Sequence, residues 1–230
     1  MKVSFILVEP AVPENVGAAA RAIKTMGFTD LRLINPCDYL SDKALMLAHG
    51  SHDILENAKT YNSLEKAIAD IDFTIATTAK QRWVKQNIID SRELKSFIEN
   101  KADTINSIAI VFGGEESGLS NHNIELCDRA AAIPIANPYP SLNLGQAVMV
   151  FAYTLADIKM KNKDIEKGTL NHGFKPLKKR VVSLLNQVGI TNKSLVHGRV
   201  LERLTEITKE DVNLLHSVTS KINDKLNSNK

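Results

Sequence analysis

Cysteine is scarce in this 230-residue sequence, which has only Cys37 and Cys127 and no CxxC pair. Two isolated cysteines make no disulfide framework, so we expect a reducing compartment. No apolar run approaches the about 20 residues that a membrane-spanning helix needs. The opening MKVSFILVEPAVPEN is apolar over too short a stretch, and acidic too early, for a secretory signal. We therefore expect a cytoplasmic protein with no membrane partner.

Several motifs of nucleotide-binding and hydrolytic enzymes are also missing. The sequence has no GxxxxGK[ST] phosphate loop, and no GxGxxG follows the first apolar run, which counts against a nucleotide hydrolase and a standard dinucleotide site. It has no GxSxG, the motif of the α/β-hydrolase nucleophile. His49 and His52 lie one helical turn apart without an HExxH motif, so a surface or capping role is favoured over metal binding. We expect no metal.

Strands and helices alternate through the first two thirds of the chain, a pattern typical of an α/β fold with a parallel sheet. Apolar runs predict strands at residues 2–8, 31–35, 73–76, 108–112 and 130–136. Helices are predicted at 14–27, 41–61 with a break at Gly50, 63–69, 91–101 and 142–155, and a long loop at 80–90. Residues 1–158 therefore form one predicted α/β domain.

The C-terminal part differs in composition and charge. Residues 159–174 are polar and predict a linker, and three helices predicted at 175–188, 192–207 and 209–226 form a small helical extension, residues 175–230. Residues 1–155 carry 14 Lys and Arg against 18 Asp and Glu, a net charge of −4, whereas residues 156–230 carry 15 against 8, a net charge of +7. A basic extension suits nucleic acid, because cations that neutralise phosphates release counterions. A solvated helical surface is the alternative.

The stretch from Ile108 to Leu155 combines two strands, two polar loops and a helix. Its first strand ends at Gly113 and Gly114, which have no Cβ and can bring backbone N–H groups close to a ligand. Its second apolar run ends at the proline loop of residues 137–140, and an amphipathic helix follows. Rigid elements that present two polar loops have the geometry of a binding site.

Polar residues adjoin the predicted strands at several further points. They are Asn15 and Arg21 after the first strand, Thr77-Thr78-Ala79 after the third, Gly113-Gly114-Glu115 after the fourth, and Ser141 and Asn143 at the last helix. Ligands of open α/β sheets bind beyond the carboxyl ends of the strands, where all these residues are expected. Each has an ordinary alternative: Asn15 or Ser141 as a helix N-cap, Arg21 as an exposed cation, Glu115 as a loop carboxylate. Their joint placement favours a site.

Three segments resemble a known family in order and spacing: NVGAAARAIKTMGF at 15–28, VFGGEESGL at 111–119 and PSLNLGQAV at 140–148. They are similar to the three motifs of the SpoU–TrmH branch of the SPOUT RNA methyltransferases, and most similar to the TrmJ type. The resemblance implies methylation of a ribose 2′-hydroxyl in tRNA, at a cytidine or uridine in position 32 of the anticodon loop. Two alternatives remain open: a ribosomal RNA methyltransferase of the same fold, and a non-catalytic RNA-binding relative.

The resemblance also implies a fold, a donor and site residues. The fold is an α/β knot, a parallel sheet with flanking helices and a deep trefoil, in a homodimer with its sites at the interface. The donor is S-adenosyl-L-methionine (AdoMet), which leaves as S-adenosyl-L-homocysteine (AdoHcy). The implied cofactor-binding residues are Thr77, Thr78, Ala79, Gly113, Ile133, Pro140, Ser141 and Leu142. Arg21 matches the catalytic arginine, and the other motif residues are Asn15, Glu115, Ser141 and Asn143.

The chemistry of methyl transfer constrains the role of Arg21. The protein must orient the donor methyl group and relieve the ribose hydroxyl of its proton. A guanidinium keeps its own proton at neutral pH, so we expect Arg21 to position a phosphate or stabilise the developing alkoxide, with a neighbouring group sharing proton removal. Two features depart from the TrmJ type. Gly114 stands where arginine is frequent. Arg82, Trp83 and Lys85 lie in a loop unlike that of the TrmJ type, and these side chains either contact RNA or belong to an ordinary packed and solvated loop.

Overall fold

A seven-stranded sheet is the central element of the computed structural model, which describes residues 1–79, 87–101, 103–137, 141–158 and 173–228. The strands are β1 (Lys2–Val8), β2 (Asp30–Ile34), β3 (Lys59–Tyr61), β4 (Phe73–Thr77), β5 (Ile88–Asp90), β6 (Ser107–Gly113) and β7 (Arg129–Ala132). Their order is β3-β2-β1-β6-β4-β7-β5, and every neighbouring pair is parallel. All carboxyl ends therefore lie along one edge, as the sequence predicts.

Helices cover both faces of this sheet. They are α1 (Pro13–Thr25), α2 (Asp42–Leu47), α3 (His52–Glu56), α4 (Leu64–Ala67), α5 (Leu94–Glu99), α6 (Asn121–Leu126) and α7 (Leu144–Leu155), with a 3₁₀ turn at Ser91–Glu93. Alternate residues of β1 are buried on opposite faces of the sheet. Phe5 and Leu7 lie in the main core with α1 and α7, whereas Ile6 and Val8 lie in a smaller core with α4 and α6. Burial on both faces explains why the central strands are continuous apolar runs.

Some elements differ from the predictions, and most of the differences lie away from the central strands. Lys59–Tyr61 is an edge strand where a helix is predicted, and Ile88–Asp90 is a strand within the predicted loop. Three residues carry too little periodicity to predict either strand. β7 ends at Ala132 rather than 136, since Pro134 has no N–H for a ladder. Helix α6 is not predicted, although Ser120 caps it by accepting from the N–H of Asn123 at 3.1 Å.

Three helices follow in the C-terminal part: α8 (Phe174–Gln187), α9 (Leu195–Leu204) and α10 (Lys209–Ser228). Phe174 falls in the predicted linker but begins α8, and the rest of that linker up to residue 172 lies outside the described residues. Phe174 packs with its ring centroid 5.3 Å from that of Phe73, and Leu177, Leu204 and Val212 join the same core. The C-terminal helices are therefore packed onto the α/β domain.

Polar contacts place these helices at the amino ends of the strands. Arg129, the first residue of β7, donates to Glu206 at 3.2 Å, and its neighbour Asp128 pairs with Lys178 of α8. The N–H of Asn87, just before β5, donates to Glu202 of α9 at 3.0 Å. The extension thus packs at the edge of the sheet opposite to the carboxyl ends.

Neither a membrane helix nor a metal cluster is found in the described part of the chain. None of its helices is both long and apolar enough to cross a membrane. It contains no group of three or more His, Cys, Asp or Glu side chains that could hold a metal ion. His52 instead places Nε2 2.9 Å from the carbonyl oxygen of Leu45, and His49 is exposed.

Candidate active site

A cavity of about 290 Å³ lies beyond the carboxyl ends of β4, β6 and β7. Its walls come from the ends of these strands, the loop after β6, the segment before α7 and one face of α7. The lining residues are Thr77, Thr78, Ala79, Phe112, Gly113, Gly114, Glu115, Glu116, Ser117, Gly118, Leu119, Ile124, Ile133, Ile135, Ser141, Leu142, Leu144, Ala147 and Phe151. Its size is at the lower end of the range for small-molecule sites.

The predicted cofactor-binding residues meet at this cavity. Seven of them line it, namely Thr77, Thr78, Ala79, Gly113, Ile133, Ser141 and Leu142. The eighth, Pro140, lies outside the described residues. The hydroxyl of Thr77 donates to the carbonyl oxygen of Val111 in β6 at 3.0 Å. The backbone N–H of Thr78 donates to the carbonyl oxygen of Ala131 in β7, also at 3.0 Å. The end of β4 is therefore tied to both neighbouring strands, which fixes one wall of the cavity.

The loop after β6 folds back on itself, and this close approach explains its first glycine. Gly114 and Gly118 form an isolated bridge, with the N–H of Gly118 donating to the carbonyl of Gly114 at 3.0 Å. A Cβ on Gly113 would overlap the backbone of Gly118 and the backbone nitrogen of Leu119. Gly118 itself has φ +66°, a conformation that glycine adopts at no steric cost.

Gly114 is also required by a close approach. A Cβ on this residue would lie 2.5 Å from the carbonyl oxygen of Glu9, the residue that follows β1. Glu9 has φ +52°, which few residues other than glycine adopt. The neighbouring backbone therefore leaves no room for a side chain at position 114 in this arrangement.

Glu115 connects this loop to the start of α1. Its carboxylate accepts from the N–H of Ala11 at 2.9 Å, from the N–H of Val12 at 3.3 Å, and from Asn15 Nδ2 at 2.8 Å. Burial alone would raise the pKa of Glu115, but the donors on Ala11 and Asn15 outweigh it and hold that pKa below its ordinary value. The charged carboxylate thus holds two segments that are 100 residues apart in the chain.

Asn15 extends the same network to the third motif. Asn143 donates from Nδ2 to Asn15 Oδ1 at 2.6 Å, while its own Oδ1 accepts from the N–H of Gly145 at 2.8 Å. Asn143, not Ser141, is therefore the N-cap of α7, and Gln146 completes a capping box. Asn15 is not a cap either, because the N-cap position of α1 is Val12. The side-chain amide of Asn15 instead donates a hydrogen bond to Glu115.

The structure separates Arg21 from the other predicted catalytic residues. Arg21 lies on α1, six residues beyond Asn15, with an exposed side chain that does not line the cavity. It makes no hydrogen bond or ion pair with the described residues. Asn15, Glu115 and Asn143 are hydrogen-bonded together, and Ser141 is exposed at the cavity wall. Within one chain, then, Glu115 and Ser141 line the cavity, Asn15 and Asn143 are hydrogen-bonded to the Glu115 side of it, and Arg21 does neither.

Sequence reasoning did not assign several residues of the cavity wall to the site. Leu144, Ala147 and Phe151 follow helical spacing on α7, and that pattern predicts a core face equally well. The Phe151 ring packs edge-on to Phe112 with centroids 5.6 Å apart, so the same face serves both the core and the cavity. Glu116 stands next to a motif glutamate, and nothing in the pattern distinguishes it.

Comparison with known proteins identifies the family. Residues 2–153 match the model of the SpoU rRNA Methylase family, and residues 171–226 match that of the C-terminal domain of the tRNA/rRNA methyltransferase LasT. The chain belongs to the SpoU rRNA methylase family. Its C-terminal helices correspond to the segment that matches the LasT domain.

Two curated relatives and one solved structure are similar to this SpoU family member over most of its length. LasT of Escherichia coli (strain K12), described as an uncharacterized tRNA/rRNA methyltransferase, is 38% identical over 216 residues, 94% of this chain and 95% of LasT. The tRNA (cytidine/uridine-2′-O-)-methyltransferase TrmJ of E. coli O6:K15:H31 is 40% identical over 153 residues, 66% of this chain and 61% of TrmJ. TrmJ from Z. mobilis ZM4 superposes with a TM-score of 0.68 at 26% identity, covering 97% of this chain and all of the other.

The SpoU methyltransferase AviRb from Streptomyces viridochromogenes, solved in complex with AdoMet, superposes with a TM-score of 0.55. It is 21% identical, and the match covers 67% of this chain and 59% of AviRb, so this likeness shows the fold alone. Together the family match and the structural neighbours confirm the predicted SPOUT-type α/β fold with a helical C-terminal extension.

Proposed function

We propose that this chain is an AdoMet-dependent methyltransferase that acts in the cytoplasm on a ribose 2′-hydroxyl of tRNA, at the cytidine or uridine in position 32 of the anticodon loop. The hydrogen-bonded chain Glu115–Asn15–Asn143 carries the proposal, because it joins the three motif segments beside one cavity. The choice of a tRNA ribose as substrate follows the name of the TrmJ relative, a tRNA (cytidine/uridine-2′-O-)-methyltransferase. The position within the anticodon loop rests on the motif resemblance.

The cavity suits the adenosyl group of this donor. Ile133, Leu142 and Phe151 provide apolar walls for a flat ring system, and the turn at Gly113 brings backbone close to it without a side chain in between. AdoMet bound there would supply an electrophilic methyl group on a sulfonium. Ser141 and Thr78, which also line the cavity, offer polar groups to orient it.

We further propose that the active unit is a homodimer in which Arg21 of one copy faces the cavity of the other. Arg21 is exposed, lies outside the cavity of its own chain and is needed beside the acceptor oxygen if it stabilises the alkoxide. Large apolar side chains are exposed on or next to α1 and α7, with Val12 at 38%, Leu142 at 38% and Tyr153 at 72%. Such a surface suits a second copy of the chain.

Two measurements test the function itself. Calorimetric titration with AdoMet is expected to show binding, and purified protein with AdoMet is expected to add a 2′-O-methyl group to tRNA at position 32, mapped by mass spectrometry. Methylation of ribosomal RNA but not tRNA would support the ribosomal alternative, which the description of the matched family favours. Absence of AdoMet binding would indicate a non-catalytic RNA-binding protein.

Arg21→Lys tests the role of the guanidinium. We expect the turnover rate to fall about 100-fold, because an ammonium cannot reproduce the planar fork that aligns two donors on one oxyanion or phosphate. AdoMet affinity and thermal stability should stay at the wild-type level, since Arg21 is exposed and unpaired among the described residues. Arg199→Lys, an exposed arginine on α9, is the matched control. Full activity of Arg21→Lys would refute the assigned role.

Exposed lysines of α10 test whether the extension holds RNA. Removing the three C-terminal helices would uncover core residues such as Phe73, which packs against Phe174, so charge changes are the cleaner experiment. Lys221→Gln with Lys225→Gln is expected to weaken tRNA binding about fivefold at low salt and to reduce the slope of log K against log salt by roughly 1.5. Lys59→Gln with Lys66→Gln, the same change at the β3 side of the sheet, is the control. Equal slopes in both variants would reassign the extension to packing alone.

A further inference from the structure

Glu116 is the one charged side chain on the described cavity wall that the network does not use. Among the described residues that line the cavity, Glu115 and Glu116 are the two with ionisable side chains. The carboxylate of Glu115 accepts three N–H donors, whereas Glu116 is exposed and makes no hydrogen bond or ion pair with the residues that the structure describes. The carboxylate of Glu116 therefore forms no contact with the described residues that would stabilise the fold.

The reaction changes the charge in this cavity. AdoMet carries a sulfonium, an ammonium and a carboxylate, a net charge of +1. When the bond from the methyl carbon to the ribose oxygen forms, the bond from that carbon to sulfur breaks, its electron pair stays on sulfur, and the hydroxyl proton is released. AdoHcy is left with a neutral thioether and a net charge of zero. A carboxylate on the wall thus attracts the substrate donor more strongly than its product.

We propose that Glu116 is a specificity-determining residue that favours AdoMet over AdoHcy in the cavity, an inference that rests on the proposed function. Glu116 lines the cavity in which the donor would bind, and at physiological salt charges interact over about 8 Å. The attraction acts before methyl transfer and disappears after it, so the residue helps to load the donor without holding the product.

The expected effect is modest, because Glu116 is exposed to solvent. Exposed charge pairs contribute little, and a three- to fivefold change in affinity is about the upper range for one such pair. We therefore expect Glu116→Gln to weaken AdoMet binding by about fourfold and to leave AdoHcy binding at the wild-type level. Raising the salt concentration should reduce the difference between wild type and variant.

Titration calorimetry with AdoMet and with AdoHcy tests this on the full-length wild-type protein, on Glu116→Gln and on Glu56→Gln. Glu56 is an exposed glutamate of α3 away from the cavity, so its variant controls for the loss of one negative charge elsewhere. The result expected is a ratio of AdoHcy to AdoMet dissociation constants that falls only in Glu116→Gln. Glu116→Lys should lower that ratio further, since it replaces attraction by repulsion.

If Glu116→Gln weakened the binding of AdoMet and AdoHcy equally, the proposal would be overturned. Glu116 would then contribute to the shape of the cavity and not to an electrostatic attraction for the charged donor. Unchanged binding of both would overturn it as well, while leaving the proposed function intact. If the wild-type protein bound neither ligand, the proposed function would fail first, and the inference with it.

Discussion

Gly113→Ala is expected to abolish useful AdoMet binding, with a loss of affinity of at least about 100-fold, and to lower the free energy of unfolding by about 3 kcal/mol. The added Cβ would overlap backbone atoms of Gly118 and Leu119, and backbone cannot rotate away as a side chain can. The loop that carries Gly114 and Glu115 must therefore move, and this loop is one wall of the cavity. Calorimetry with AdoMet and urea denaturation measure the two effects.

Gly198→Ala is the matched control for this substitution. Gly198 lies in α9, where a Cβ would meet no atom within 4 Å. Alanine is favoured over glycine inside a helix, so this variant should be slightly more stable, by up to about 1 kcal/mol, with unchanged AdoMet binding. If Gly113→Ala bound AdoMet with wild-type affinity, the loop would tolerate displacement. The shape of the cavity would then not depend on the close packing of Gly113 against Gly118.

The central strands could be predicted from the sequence because burial on both faces leaves an unbroken apolar run, as in Ile108 to Phe112. The edge strands could not, because Lys59–Tyr61 and Ile88–Asp90 owe their conformation to single neighbours, β2 and β7. Pairing with a neighbouring strand decides such short segments, whatever their local preference. At the strand ends, seven of the predicted cofactor-binding residues line one cavity, and their role in binding AdoMet stays a prediction.

The contacts inside the site could not be predicted from local patterns. Asn15 is separated by 100 residues from Glu115 and by 128 from Asn143, so no periodicity links them. Local rules offered helix capping as the alternative for Asn15 and Ser141, but Val12 and Asn143 take those cap positions, and the amide of Asn15 donates to Glu115 instead. Gly113 was predicted for its bare N–H group, whereas the structure adds a stricter reason, the return of its own loop. The rule that sites lie beyond the strand ends and the motif resemblance both indicated that these segments meet, but neither gave the contacts.

Asn15→Asp is expected to be the other highly disruptive substitution. It keeps the size of the side chain and the acceptor for Asn143, but it replaces the donor to Glu115 by a second carboxylate at the same 2.8 Å approach. Loss of a charge-assisted hydrogen bond and repulsion between like charges should lower the free energy of unfolding by about 3 kcal/mol at pH 7. AdoMet affinity should fall about tenfold, because the three motif segments are no longer held together.

The pH dependence separates this mechanism from a general packing defect. Two facing carboxylates raise the folded-state pKa of the pair, so the folded variant binds a proton more tightly than the unfolded chain and gains stability as pH falls. In the wild type the pKa of Glu115 is lowered, so its contribution is complete above the ordinary carboxyl range and is lost as pH falls through the lowered value. The difference in stability between the two proteins should therefore shrink from pH 7 towards pH 4.

Urea denaturation of wild type, Asn15→Asp, Glu115→Gln and the double variant across this pH range provides the measurement. The double variant restores one donor opposite one carboxylate, so its destabilisation at pH 7 should be smaller than the sum of the two single changes. Asn213→Asp, an exposed position on α10, should show no such pH dependence. A stability difference for Asn15→Asp that stays constant with pH would mean that the hydrogen bond from Asn15 to Glu115 does not hold the motif segments together. The cavity would then owe its shape to the apolar packing of α1 against α7.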